Sequence, residues 1–133
     1  MMPPPEGRAL HALRILLVED SDDVRDAFGG LLHAEGADVV AAANGADAIA
    51  AAHDTAFDIL LTDYGLPDIA GDALIREILA TSSIRPKVVV VTGYGEPYVQ
   101  RARQAGADVV LMKPVDWTRL LSHLRPYTRP VAA

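Results

Sequence analysis

Four of the five apolar runs in this chain are followed or ended by residues that can do chemistry. Glu19 and Asp20 follow ILLV (15–18), Asp63 ends DILLTD (58–63), Thr92 lies in KVVVVTG (87–93), and Lys113 with Pro114 follows DVVLM (108–112). If the runs are parallel strands of one sheet, these side chains converge on its carboxyl edge, where open α/β sheets bind ligands. Three carboxylates so close repel one another and carry raised pKa values unless a cation sits among them. Oxygen donors without histidine or cysteine favour a hard ion, Mg²⁺ or Mn²⁺. A cation beside a carboxylate, a hydroxyl and an ammonium suits phosphoryl transfer. Metal and ammonium take the charge on the equatorial oxygens, the hydroxyl donates a hydrogen bond, and the carboxylate can be the nucleophile. Ten arginines stand against two lysines, Lys87 and Lys113. A lysine at a strand end therefore reads as a compact charge aimed at one anion.

The elements that must position these groups are legible. The fifth run, ADVVAAA (37–43), joins the other four, and near-continuous Val, Ile and Leu is the pattern of strands buried on both faces. Helices fill the intervals. Val24, Ala27, Phe28, Leu31 and Leu32 share one face, with Asp22 and Asp23 at the start and Gly36 as the stop; Gly29 and Gly30 loosen the middle. Asn44 caps a helix to His53, and Leu74, Ile75, Ile78 and Leu79 stripe the next. Pro97 opens a helix that stops at Gly106, and Asp116 caps the last, which shows Trp117, Leu120, Leu121 and Leu124 on one face. Five strands alternating with five helices indicate an α/β fold built on a doubly wound parallel sheet.

The chain has 133 residues, enough for one core that hides roughly two-thirds of the unfolded surface. Half the residues are apolar, but 22 are alanine, so the bulk of the core must come from the short Val, Ile and Leu runs. A net charge of −6 argues against nucleic-acid binding and against an anionic membrane surface. Without cysteine there is no disulfide, thiolate site or thiol nucleophile. No apolar run approaches the roughly 18 residues of a membrane span, and the start MMPPPEGRALHALR has no apolar signal core. A soluble cytoplasmic domain over 13–125 is expected, with tails at 1–12 and 126–133.

Taken together, the motifs resemble the receiver domain of two-component response regulators. The matching residues are Glu19-Asp20 in LLVED, Asp63-Tyr64-Gly65-Leu66-Pro67 with Gly71 beyond, Thr92-Gly93, and Lys113-Pro114, all in order between about Arg14 and Leu124. The resemblance implies a flavodoxin-like sheet of strand order 2-1-3-4-5 with five helices. It implies that Asp63 accepts phosphate from a histidine kinase or phosphotransfer protein and that the domain signals to a downstream protein target. The domain is then not an enzyme beyond its own phosphorylation and autodephosphorylation. Asp20 and Asp63 would bind Mg²⁺ directly, Glu19 through water and Gly65 through its carbonyl. Thr92 would bond the phosphoryl group and Lys113 pair with it; Gly93 leaves room for it; the Lys113–Pro114 peptide would be cis. The family's switch aromatic is replaced by Val110, and Tyr94 puts a large ring beside the site entrance. Both are candidate regulatory positions. The run VVTGYGEPYVQRARQAGADVVLMKPVD is most similar to receivers of hybrid sensor kinases, and somewhat to stand-alone alphaproteobacterial ones.

Other residues have simpler roles. Asp22, Asp23, Asp68, Asp72 and Asp116 read as helix caps, Arg101 and Arg103 as a solvated helix face, and the four histidines as surface residues. A haloacid-dehalogenase-like aspartyl-phosphate phosphatase uses similar groups, but its nucleophile follows the first strand as Asp-x-Asp and its acidic pair comes last. Here the pair comes first and position 65 is glycine. A receiver-like interaction module that never takes phosphate is the third alternative.

Overall fold

The structure, a computed structural model, describes residues 9–125. Strands β1 (Arg14–Val18), β2 (Asp38–Ala42), β3 (Ile59–Asp63), β4 (Lys87–Thr92) and β5 (Val109–Met112) alternate with helices α1 (Asp22–Ala34), α2 (Gly45–Asp54), α3 (Gly71–Thr81), α4 (Tyr98–Ala105) and α5 (Trp117–Leu124). All strands are parallel, in the order β2-β1-β3-β4-β5. This is the flavodoxin-like arrangement. The central β3 is buried at every residue, as a continuous apolar run demands. The edge strand β2 is not: Val40 is 39% exposed, and β2 has only β1 as a neighbour in the sheet.

Two cores flank the sheet. One holds Leu16, Leu60, Val88 and Val90 against Leu74, Ile75 and Ile78 of α3; the other holds Ile15, Leu17, Ile59 and Val89 against Leu32, Leu120 and Leu124. Alternate residues of one strand thus feed opposite cores, which is the period-two pleat at work. Leu10, within the stretch expected as an N-terminal tail, is fully buried in the second core. Residues 1–8 and 126–133 lie outside the described residues.

Helix α1 departs from its expected packing. Only Leu32 is buried, while Val24 and Leu31 are 37% and 40% exposed. A cavity of about 590 Å³ lies under this helix, lined among others by Leu17, Val24, Phe28, Leu61, Val91 and Leu120, and its rim reaches Asp63. Helix α5 meets α1 there through Phe28 and Trp117, whose ring centroids are 6.2 Å apart. Caps are mostly local. Ser21, Asn44 and Asp116 accept from backbone N–H groups of their own first turns, and α4 stops at Gly106, where φ is 122°. Asp22, Asp23 and Asp72 lie in first turns; Asp68 does not serve α3 but reaches the start of α2.

Candidate functional site

Asp63 and Thr92 are the last residues of their strands, and Glu19, Asp20 and Lys113 stand just past theirs, where each apolar run gives out. Glu19 follows β1; its N–H donates to the Ala42 carbonyl across the sheet (3.0 Å) and its Oε2 accepts from Ser21 N–H (3.0 Å). From α1, Arg25 Nη1 donates to the Glu19 carbonyl at 2.9 Å and so pins the turn that carries the acidic pair. Asp63 closes β3 with 8% of its surface exposed, and Glu19 is 6% exposed. Asp20 is exposed. One oxygen from each of these three carboxylates lies within 4.8 Å of the others.

Lys113 supplies the positive charge. Its Nζ donates to Asp63 Oδ2 at 2.8 Å and stands 4.0 Å from Glu19 Oε1. Burial works against its charge, yet the bond to Asp63 and the charges of Asp63, Glu19 and Asp20 outweigh it and hold the ammonium above the ordinary lysine value. Glu19 is pushed up from the usual carboxylate range, first by burial and then by Asp20 and Asp63, although Ser21 N–H and Lys113 oppose this. Three carboxylates against one ammonium leave a surplus of negative charge in a half-buried recess. An all-oxygen donor set with that surplus fits a hard divalent cation.

Thr92 sits one residue beyond Val91, the β4 partner of Asp63, and is 1% exposed. Its hydroxyl is tied to the next loop: Oγ1 accepts from Tyr94 N–H (2.9 Å) and donates to the Tyr94 carbonyl (3.3 Å). The Thr92 carbonyl accepts from Lys113 N–H at 2.8 Å, so the ends of β4 and β5 are fastened together. Gly65 N–H donates to Asp63 Oδ1 at 3.2 Å. A methyl group on Gly93 would meet nothing within 4 Å, so no protein atom requires glycine there. The Lys113–Pro114 peptide is cis, and so is Glu96–Pro97, which the sequence reading did not anticipate. Glu19, Asp20, Asp63 and Lys113 are thus brought together, with Thr92 on the adjoining strand and Gly65 two residues beyond Asp63. Val110 stands apart, paired with Val90 and packed against the α3-side core.

Tyr94, a candidate regulatory position from the sequence, belongs to a cluster with Tyr64 and Tyr98 that the linear pattern does not reveal. The rings of Tyr64, Tyr94 and Tyr98 lie with centroids 5.3–6.5 Å apart, Arg101 sits 5.5 Å from the Tyr98 centroid, and the Tyr64 hydroxyl donates to Asp72 at 3.0 Å. Burial, aided by Asp72, pushes the Tyr64 phenol up. Tyr94 is 53% exposed and lies against Gly65, where an added Cβ would be 3.1 Å from its ring. The i, i+4 spacing of Tyr94 and Tyr98 was the available signal, hidden because Gly95 and Pro97 placed Tyr94 outside a helix. Lys87, the other lysine, is far from this edge and donates to the His123 carbonyl in α5.

Comparison with known proteins accords with this geometry. The family described as the response regulator receiver domain matches residues 15–125. A gliding motility regulatory protein of Myxococcus xanthus is 33% identical over 113 residues, covering 84% of this chain and 14% of that protein. A response regulator receiver protein of Anaeromyxobacter is 33% identical over 108 residues, covering 81% and 45%. The chain therefore spans less than half the length of these curated relatives. Among solved structures, a CheY-like receiver domain protein of Methanospirillum hungatei superposes with TM-score 0.81 at 31% identity, covering 86% of this chain and 92% of that one. The receiver domain of a Pseudomonas aeruginosa sensor histidine kinase, which has a magnesium ion coordinated in its active site cleft, gives 0.79 at 28%, covering 87% and 97%. Sequence match, strand order and the acid–lysine edge agree: the chain belongs to the response regulator receiver domain family of two-component signalling, whose members are signalling domains rather than conventional enzymes.

Proposed function

We propose that this chain is a phosphoacceptor, taking phosphate onto Asp63 from the phosphohistidine of a kinase or phosphotransfer protein and signalling to a protein target. The observation that carries this is the juxtaposition of Asp63 with Lys113 at 2.8 Å inside a group of three carboxylates. Glu19, Asp20, Asp63 and the Gly65 carbonyl would hold Mg²⁺, which supplies charge neutralisation to the transferring phosphoryl group. Asp63 offers the nucleophilic oxygen. Lys113 releases that oxygen to the incoming group and stays as its counter-ion. Thr92 turns its hydroxyl from the Tyr94 carbonyl to a phosphoryl oxygen, and Gly93 leaves the space open. Among the described residues no helix is long and apolar enough to cross a membrane. The absence of a net basic charge supports action through protein contacts rather than nucleic acid.

The experiment is incubation with acetyl phosphate and Mg²⁺ followed by intact-mass measurement. One base-labile phosphoryl group is expected, and none in Asp63→Asn. Full labelling of that variant at another residue would sink the assignment. A phosphatase of the haloacid dehalogenase class would instead turn over phosphomonoesters, which this protein is expected not to do.

A further inference from the structure

Three donors of the proposed magnesium site are side chains at strand ends, but the Gly65 carbonyl belongs to the loop between β3 and α3. That loop is closed at its base. Gly65 and Ala70 form an antiparallel bridge, and Gly71 N–H donates to the Tyr64 carbonyl at 2.9 Å. A closed base does not set the tilt of the loop against the sheet, and α3 begins after Ala70 without a side-chain cap. Tyr94 touches the loop at Gly65 from one side. From the other, the tip is fastened to α2. Asp68 Oδ1 accepts from Gly45 N–H at 2.8 Å and Oδ2 from Ala46 N–H at 2.9 Å.

One carboxylate thus satisfies the first two N–H groups of α2, at the end of the helix where negative charge is favoured. Asn44 takes the third, that of Asp47. The bonds from Gly45 and then Ala46 hold the Asp68 carboxyl below its ordinary value. The seat is close-fitted as well: a Cβ on Gly45 would lie 2.0 Å from Ile69 Cγ2, and Ile69 packs against the α3-side core. The helix that receives the loop therefore has to begin with glycine.

We infer that Asp68, seated on Gly45 and Ala46 of α2, is a positioning residue that holds the Gly65 carbonyl in place for magnesium. The inference rests on the reading of this edge as a magnesium-dependent phosphoacceptor site. Magnesium demands near-octahedral geometry, so a donor on a loosened loop costs affinity although Asp68 touches no metal. The two bonds from Gly45 and Ala46 also make α2 a mechanical part of the site.

The test is calorimetric titration of the metal-free protein with MgCl₂, joined to amide hydrogen exchange without metal. Asp68→Ala and Gly45→Ala are each expected to weaken Mg²⁺ binding about 10-fold, the scale of lost outer supports of metal sites. Asp68→Asn, which keeps one acceptor, should fall between. Exchange should quicken at Gly65, Ala70 and Gly71 while the amides of β1 and β3 keep their protection. Unchanged magnesium affinity in both Asp68→Ala and Gly45→Ala overturns the inference, as does a loss accompanied by faster exchange throughout the sheet, or a wild-type protein that binds no Mg²⁺. A wild type that binds Mg²⁺ yet takes no phosphate from acetyl phosphate refutes the proposed function and leaves this positioning role intact.

Discussion

Replacing Lys113 with methionine removes one charge and keeps an aliphatic stem, so it isolates what the ammonium does for the metal-free fold. At an effective dielectric constant of about 20, a charge pair at the 2.8 Å separation from Asp63 attracts by about 6 kcal/mol, and one at the 4.0 Å separation from Glu19 by about 4 kcal/mol. Neither figure is a net contribution. The Lys113 side chain is 40% exposed, so water screens the pair and solvates the carboxylates once the lysine is gone. The surviving loss is about 1–2 kcal/mol, between an exposed pair and a broken buried one. Melting should fall by about 3–10 °C for a domain of this size.

The pH dependence has a defined sign. Lys113 is held above its ordinary value, so its stabilisation is fully present below about pH 10 and is lost as pH rises through the folded-state pKa. The gap between wild type and Lys113→Met should therefore be flat from neutrality to about pH 10 and close above it. Adding Mg²⁺ should narrow the gap, because the ion neutralises the carboxylates that the variant leaves uncompensated. Thermal melts by circular dichroism across pH, with and without Mg²⁺, measure all three. Equal melting temperatures at pH 7 in the absence of metal, or a gap that widens with Mg²⁺, would refute the reasoning.

Glu19→Gln should raise metal-free stability at pH 7. The Glu19 pKa is pushed up by burial, so its ionised form costs stability as pH rises through that value, and the gain should vanish in acid; Mg²⁺ affinity should drop about 10-fold in the same variant. A melting temperature unchanged at pH 7 would count against the first half. Gly71→Ala places a Cβ 2.8 Å from the Tyr64 Cα and should cost about 1–3 kcal/mol, read as a lower urea midpoint; wild-type stability would show that the loop gives way. Beryllofluoride with Mg²⁺, as a phosphoryl mimic, should shift amide resonances most over residues 92–105, because Thr92 holds the Tyr94 backbone and Val110 has no ring to move. Largest shifts around Val110 would exclude this route.

How far the sequence reaches can be followed residue by residue. Continuous apolar runs specify buried strands, and Asp63, Thr92 and Lys113 stand where those runs give out, so strand type and the polar edge are both local properties of the chain. Parallel crossovers then force those ends to one side of the sheet, which is why a linear reading finds Glu19, Asp20, Asp63 and Lys113 as one group. Helix α1 shows where such a reading stops. Its apolar periodicity is real, yet Val24 and Leu31 are exposed, because burial depends on which neighbours a face meets and not on spacing within α1. The tyrosine cluster and the Asp68 clamp are tertiary in the same sense. Tyr64, Tyr94 and Tyr98 meet only because the ends of β3 and β4 are neighbours, and Asp68 finds the start of α2 across a separation of 22–23 residues. Periodicity and caps report what a residue does with its own helix or strand. Which loop leans on which helix is decided by sheet order and by close approaches such as Ile69 on Gly45, and a linear pattern carries no term for either.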